Sequence, residues 1–332
     1  MPQIEQSAQG KVLREIIARV HADNRIGRRI QSGEMRKNMA EAEPEWKVPA
    51  GYTLSVIRQP KFDMELLQPA IPSKKFIILQ LHGGAYVGKL INIYRSFAGL
   101  YSELGRGVSV LTPDFRVAPE DPYPAAFEDV ITSYCWLLSQ GWSESQIILA
   151  GDSAGGGLAM ALCMYLKNHG KPLPAGIIAM SPWTDLTLSG RSIRKNYHKD
   201  PVFGNTKDSL VFNRDYVKGA DASNPYISPL FGDFSGFPPM LIQVGGDEMI
   251  LSDSTRVAKK ARRAGVRVRL SIYDGMFHMF QMALLMVPES KNAWKEVGRF
   301  LEIVMREKQP AIKLTKREKR KLIRELKKES KR

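Results

Sequence analysis

Apolar and polar positions alternate in two rhythms from residue 52 onward. Short apolar or alternating segments at 52–57, 76–81, 108–112, 147–151, 176–181, 239–245 and 267–273 predict strands. Several of these runs have no polar face, as expected of strands covered on both sides. Between them, stretches near 93–106, 125–140, 155–169, 252–264 and 289–307 repeat at helical spacing. The last places Ala293, Val297, Phe300, Leu301 and Val304 on one face. The one before it can be capped by Ser252 or Asp253 and stopped by Gly265. Strands alternating with helices predict an α/β class, with a mostly parallel sheet joined by right-handed crossovers.

Two segments break the rhythm. Residues 1–48 read as a helical lead-in, with Val12, Leu13, Ile16, Ile17 and Val20 on one helix face, followed by a polar stretch over 31–47. Residues 183–236 are polar and turn-rich, carry Pro201, Pro225 and Pro229, and sit between two strands. An insertion there lies over the carboxyl edge of the sheet, where ligands of such sheets bind. The expected division is therefore an N-terminal cap segment at 1–48, a core at 49–182 and 237–310, a cap insertion at 183–236 and a tail at 311–332.

Composition narrows this little. A chain of 332 residues, 43% hydrophobic and 25% charged, is large enough for one sizeable α/β core or two ordinary domains. Cys135 and Cys163 lie in apolar helical segments and read as buried thiols. No Cys/His cluster has metal-ligand spacing, so neither metal nor cofactor is expected. The first residues lack the charged-then-apolar form of a signal peptide and no apolar run reaches membrane-span length, which points to a soluble cytoplasmic protein. The net charge of +15 is largely a property of the tail: residues 313–332 hold 11 Lys and Arg against 3 Glu, a net of +8. Leu314, Leu322, Ile323 and Leu326 give that tail only a thin apolar stripe, which predicts a frayed, solvated helix. Contact of the tail with an anionic membrane and formation of a homodimer are both compatible with this composition, whereas a nucleic-acid partner is not expected.

The chemistry concentrates in Gly151-Asp152-Ser153-Ala154-Gly155-Gly156, between an apolar strand and a helical run. A strand, a sharp turn on serine and a helix hold the hydroxyl out at the carboxyl edge, with the helix N-terminus favouring negative charge there. Serine needs a base, and the base needs an orienting acceptor. Of five histidines, His278 follows the last strand in a carboxyl-edge loop and is the candidate base. Asp247 stands at the end of the strand 239–245 and is the candidate acid. Glu248, one step on and expected to point elsewhere, and Asp253, better placed as a helix cap, are the other carboxylates nearby. Backbone N–H donors for an oxyanion are expected from Ala154 and from Gly83 and Gly84, in His82-Gly83-Gly84-Ala85 after another strand. His82 reads as a scaffold residue, and Arg116 with Glu120 as a structural ion pair.

These segments, with Asp114–Glu120, Tyr123–Ala126, Ser181-Pro182-Trp183-Thr184-Asp185-Leu186 and Gly275–His278, resemble the bacterial hormone-sensitive-lipase-like esterases of the α/β-hydrolase fold. The match runs in the family's order over residues 82–278. It implies an eight-stranded, mostly parallel sheet with a helical cap. It also implies hydrolysis of short- to medium-chain carboxylic esters, a small-molecule ester as substrate, and Ser153, Asp247 and His278 as the triad. Two positions depart from the family's pattern: Ala85 stands in place of a further glycine, and Leu251 stands where a second Asp is common, with Asp253 two residues later. A serine peptidase or amidase of the same fold, or a ligand-binding receptor on a hydrolase scaffold, are the competing functions.

Overall fold

In the computed structural model of the chain, residues 3–24, 43–204, 212–306 and 315–329 are described. Leu314 and residues 31–42 of the polar stretch lie outside them. The sheet has nine strands: β1 (Gln3–Ile4), β2 (Tyr52–Arg58), β3 (Asp63–Pro69), β4 (Ser73–Leu81), β5 (Val108–Asp114), β6 (Ile147–Asp152), β7 (Gly176–Met180), β8 (Met240–Gly245) and β9 (Val268–Tyr273). Their order is β1-β9-β8-β7-β6-β4-β5-β3-β2. Only β3 runs against its neighbours. Eight strands of useful length, as expected, are joined by a two-residue edge strand formed by the N-terminus.

Alternation along the buried strands sorts their side chains into two cores. Ile147, Leu149, Ile177, Ala179, Ile242 and Val244 face α3 (Ala125–Ser139), α4 (Ala154–Asn168) and α7 (Leu251–Arg263). Ile148, Ala150, Ile178, Met180 and Leu241 face α2 (Asn92–Leu104) and α8 (Pro288–Arg306), and the short helices α5 (Arg191–Lys195) and α6 (Phe212–Val217) lie in the 183–236 segment. Each fully buried aliphatic side chain contributes roughly 1.5–3 kcal/mol of transfer free energy, so a continuous apolar strand is stabilised from both sides. On α8 the buried face includes Ala293, Val297, Phe300, Leu301 and Val304, as the spacing predicts.

The structure differs from the sequence expectations in five places outside the site. Strand β3 was not expected, because Glu65 interrupts its apolar pattern. Glu65 faces α2, where Arg95 grips its carboxylate at 2.7 and 2.8 Å. On α1 (Ala8–Asn24), Leu13 and Ile17 pack onto the protein, but Val12, Ile16 and Val20 are exposed. Arg116 forms a bidentate pair with Asp129, with Glu128 and Asp121 nearby, three carboxylates that the sequence reading does not name. Asp253 does not cap α7; its carboxylate accepts the Thr184 and Asp185 amides at 2.8 Å each and pins the loop after β7. The C-terminal helix α9 (Lys316–Glu329) is not solvated all round. It buries Leu322 and Leu326 against the α3–α4 face, and Tyr165 donates its hydroxyl to the Leu326 carbonyl at 3.2 Å. Among the described residues no helix is long and apolar enough to cross a membrane.

Candidate active site

Strands β4, β6, β7, β8 and β9 run parallel side by side, so the loops after them meet at one edge. The residue after β6 is Ser153, held at φ 49° and ψ −118°, a conformation that side chains rarely adopt. Its N–H donates to the Met180 carbonyl on β7 at 2.9 Å, and its own carbonyl accepts the Trp183 N–H at 2.9 Å. The turn can be this tight only because Gly155 has no side chain: a Cβ there would lie 1.9 Å from the Leu81 carbonyl oxygen. Ser153 thus sits at the N-terminus of α4, whose first amides have no partner within the helix.

His278 completes the first link. Its Nε2 is 2.9 Å from Ser153 Oγ, and its Nδ1 is 3.0 Å from Glu248 Oε2. Strands β6 and β9 are three spacings apart, about 14 Å, so the loop 274–278 must fold back across β7 and β8 to make this contact. The Phe203 ring packs on the imidazole with centroids 4.7 Å apart. An ionised carboxylate only accepts, so Nδ1 carries a proton and Nε2 accepts the Ser153 hydroxyl.

The carboxylate at the imidazole is therefore Glu248, not the expected Asp247. Beyond Gly245 the chain turns, and the in–out alternation of the strand ends with it. The Gly246 and Asp247 amides donate to Tyr273 and Met276 carbonyls at 2.8 and 3.0 Å, which anchors the turn on the loop carrying His278. Asp247 then projects outward to Arg14 on α1, 3.2 Å away, while Glu248 turns inward and is fully buried. Glu248 Oε1 accepts the Gly245 N–H at 2.5 Å and the Ser181 hydroxyl at 2.6 Å. The 183–236 segment supports the same turn: Asn196 Nδ2 donates to the Glu248 carbonyl at 2.8 Å, and Asp200 accepts the Met249 N–H at 2.7 Å.

The loop after β4 lies beside the nucleophile turn. Gly83 packs directly against the Asp152 carboxylate, the residue before the nucleophile. A Cβ at Gly83 would lie 2.2 Å from Asp152 Oδ2, which explains the glycine. Burial pushes the Asp152 carboxyl up to about 8. The following residues Gly84, Ala85 and Tyr86 all have positive φ. The Gly83, Gly84 and Ala85 amides have no backbone acceptor among the described residues. His82 is buried, stacks on Phe115 at 4.0 Å, and donates Nδ1–H to the Gly83 carbonyl at 2.8 Å. Burial lowers its pKa, which fits a neutral scaffold residue.

A family model described as the alpha/beta hydrolase fold matches residues 78–282. The chain belongs to that family, among its bacterial hormone-sensitive-lipase-like esterases. An esterase of Acinetobacter venetianus is 37% identical over 226 residues, covering 68% of this chain and 74% of that protein. An acetyl-hydrolase of Streptomyces hygroscopicus is 38% identical over 226 residues, with coverage of 68% and 74%. The crystal structure of an esterase from the bacterial hormone-sensitive lipase family superposes with a TM-score of 0.78 at 31% identity, covering 90% of this chain and 99% of that one.

Within this hydrolase, sequence reasoning located Ser153 and His278 at the meeting point but left three neighbours without a role. Phe203 and Tyr216 come from the 183–236 segment; Tyr216 stacks on Tyr86 of the loop after β4 at 3.8 Å. Neither has a local pattern that announces it. Ser181 was visible within Ser181-Pro182-Trp183, but nothing in that string indicates what its hydroxyl faces.

Proposed function

We propose that this carboxylic ester hydrolase works through an acyl-enzyme on Ser153, with His278 as base, Glu248 as acid and the 1–48 and 183–236 segments as a cap. One observation carries the reading: an unbroken relay in which Ser153 Oγ lies 2.9 Å from His278 Nε2 and His278 Nδ1 lies 3.0 Å from Glu248 Oε2. Ser153 Oγ attacks the ester carbonyl carbon while its proton passes to Nε2. The imidazolium so formed is stabilised by Glu248 through Nδ1–H. Oxyanion charge falls to the amides of Gly83, Gly84 and Ala154. Losing one such donor costs about 3–4 kcal/mol in the transition state. Collapse of the tetrahedral intermediate breaks the C–O bond, and Nε2–H protonates the departing alcohol. Water, deprotonated by the same nitrogen, then releases the acid and restores Ser153.

Two features support short to medium acyl chains. Tyr86 and Tyr216 stack and are almost fully buried, which fills the space beside the oxyanion loop, and Ala85 adds a methyl group there. The Streptomyces relative is named an acetyl-hydrolase. The test is Ser153→Ala measured on nitrophenyl esters of increasing acyl length. The variant should keep its melting temperature and lose turnover on every ester, and the parent should favour the shorter chains. Wild-type turnover by Ser153→Ala would reject the mechanism.

A further inference from the structure

We propose that Ser181 is a positioning residue that sets Glu248 and His278 in register with each other; this rests on Glu248 being the acid. Ser181 is the first residue after β7, fully buried, with φ 45°. Its amide donates to the Gln243 carbonyl on β8 at 2.7 Å, which holds the strained backbone in place. Its single hydroxyl proton goes to Glu248 Oε1 at 2.6 Å, the distance of a charge-assisted O–H···O bond. Ser181 Oγ in turn accepts the N–H of Met279, the residue after His278, at 3.4 Å. One hydroxyl therefore bridges the acid and the loop carrying the base.

The geometry gives the bridge a definite task. Glu248 has two carboxylate oxygens and must present one to Nδ1. The Gly245 amide and the Ser181 hydroxyl both occupy Oε1, which leaves Oε2 facing the imidazole. The Gly245 amide is fixed by the strand, whereas the hydroxyl is the side-chain contribution. Without it the carboxylate keeps one donor and can rotate about its terminal bond, and the His278 loop loses a tether one residue from the ring. Ser181 touches neither substrate nor reacting atoms; it acts through Glu248 and His278.

The experiment compares Ser181→Ala, Ser181→Gly and Ser181→Cys with Glu248→Gln. Loss of a hydrogen bond to a charged group predicts a fall in kcat on the order of 10- to 100-fold, with KM unchanged. Ser181→Gly relieves the positive φ, so its melting temperature should hold while its kcat falls with that of Ser181→Ala; a purely structural role would make activity follow stability. Cysteine keeps the volume with a weaker donor and should fall between. The low-field proton resonance of His278 Nδ1–H should move in all three. Wild-type kcat in the alanine and glycine variants, or an unmoved resonance, overturns the proposal; if alanine fails to fold, glycine and cysteine carry the same test. An active Glu248→Gln would instead remove the acid assignment itself, while an inactive one beside fully active Ser181 variants would sink this proposal alone.

Discussion

Two adjacent carboxylates, Asp247 and Glu248, offer a sharp test, because the structure gives them opposite surroundings. In Glu248→Gln the amide has the shape of the carboxylate but one end donates. Two donors, the Gly245 N–H at 2.5 Å and the Ser181 hydroxyl at 2.6 Å, point at Oε1, so the amide oxygen must take that place. The NH2 group is then aimed at His278 Nδ1 from the position of Oε2, 3.0 Å away. Nδ1 must accept, its proton moves to Nε2, and Nε2 now donates toward Ser153. The serine is left with no base. A wrong-tautomer defect of this kind costs on the order of 10,000-fold in kcat, about 5.5 kcal/mol. Asp247→Asn breaks only the pair with Arg14, whose side chains are 32% and 19% exposed. Solvent screening limits that pair to about 0.2–1 kcal/mol of stability, and no part of it reaches His278. The assay is kcat on nitrophenyl acetate alongside thermal melts of both variants. An inactive Asp247→Asn beside an active Glu248→Gln would refute the reasoning outright.

Two further outcomes follow from buried groups. The Asp152 carboxyl is raised from an ordinary value near 3.8 to about 8 by burial, so between those values the folded chain keeps a proton that the unfolded chain releases. Stability must therefore fall as pH rises through that window, by at most about 1.4 kcal/mol per pH unit. Asp152→Asn should remove this slope, and parallel urea-denaturation stabilities for variant and parent across the window would contradict the protonated state. Leu326, fully buried on α9, should cost about 2 kcal/mol when cut to alanine, the low end of the usual range because a terminal helix can relax. The melting temperature should drop by a few degrees with kcat unchanged, since Tyr165 lies some 18 Å along α4 from Ser153; an unshifted melting temperature would argue against docking.

Much of the architecture was legible because it depends on periodicity. Strands buried on both faces must be largely apolar, so β4 to β8 stand out, and the helices between them announce their inward faces. Ser153 was legible for a different reason: glycines on either side of a serine between strand and helix describe a turn that other residues cannot enter. What stayed hidden involves contacts between distant segments. Glu65 looks like a break in an apolar run until Arg95 on α2 supplies its partner. Leu322 and Leu326 form a thin stripe in a basic tail, and only the α3–α4 face makes that stripe sufficient to hold a helix.

The reversal of Asp247 and Glu248 has a general physical origin. Alternation tells which way a side chain points only while the strand lasts, and β8 ends at Gly245. Past that residue the orientation is set by where the turn finds its hydrogen bonds, here the Tyr273 and Met276 carbonyls of the neighbouring loop. Those bonds rotate Asp247 toward α1 and Glu248 toward the sheet. The longer side chain then curls back to accept the amide of Gly245, three residues behind it, which keeps its second oxygen at the imidazole. An aspartate at 248 would be one methylene short of spanning both contacts. The outward aspartate is not idle either, since through Arg14 it fastens the N-terminal helix to the same turn. The turn after β8 thus carries the acid, holds the N-terminal helix through Asp247, and is hydrogen-bonded to the separate loop that carries the base.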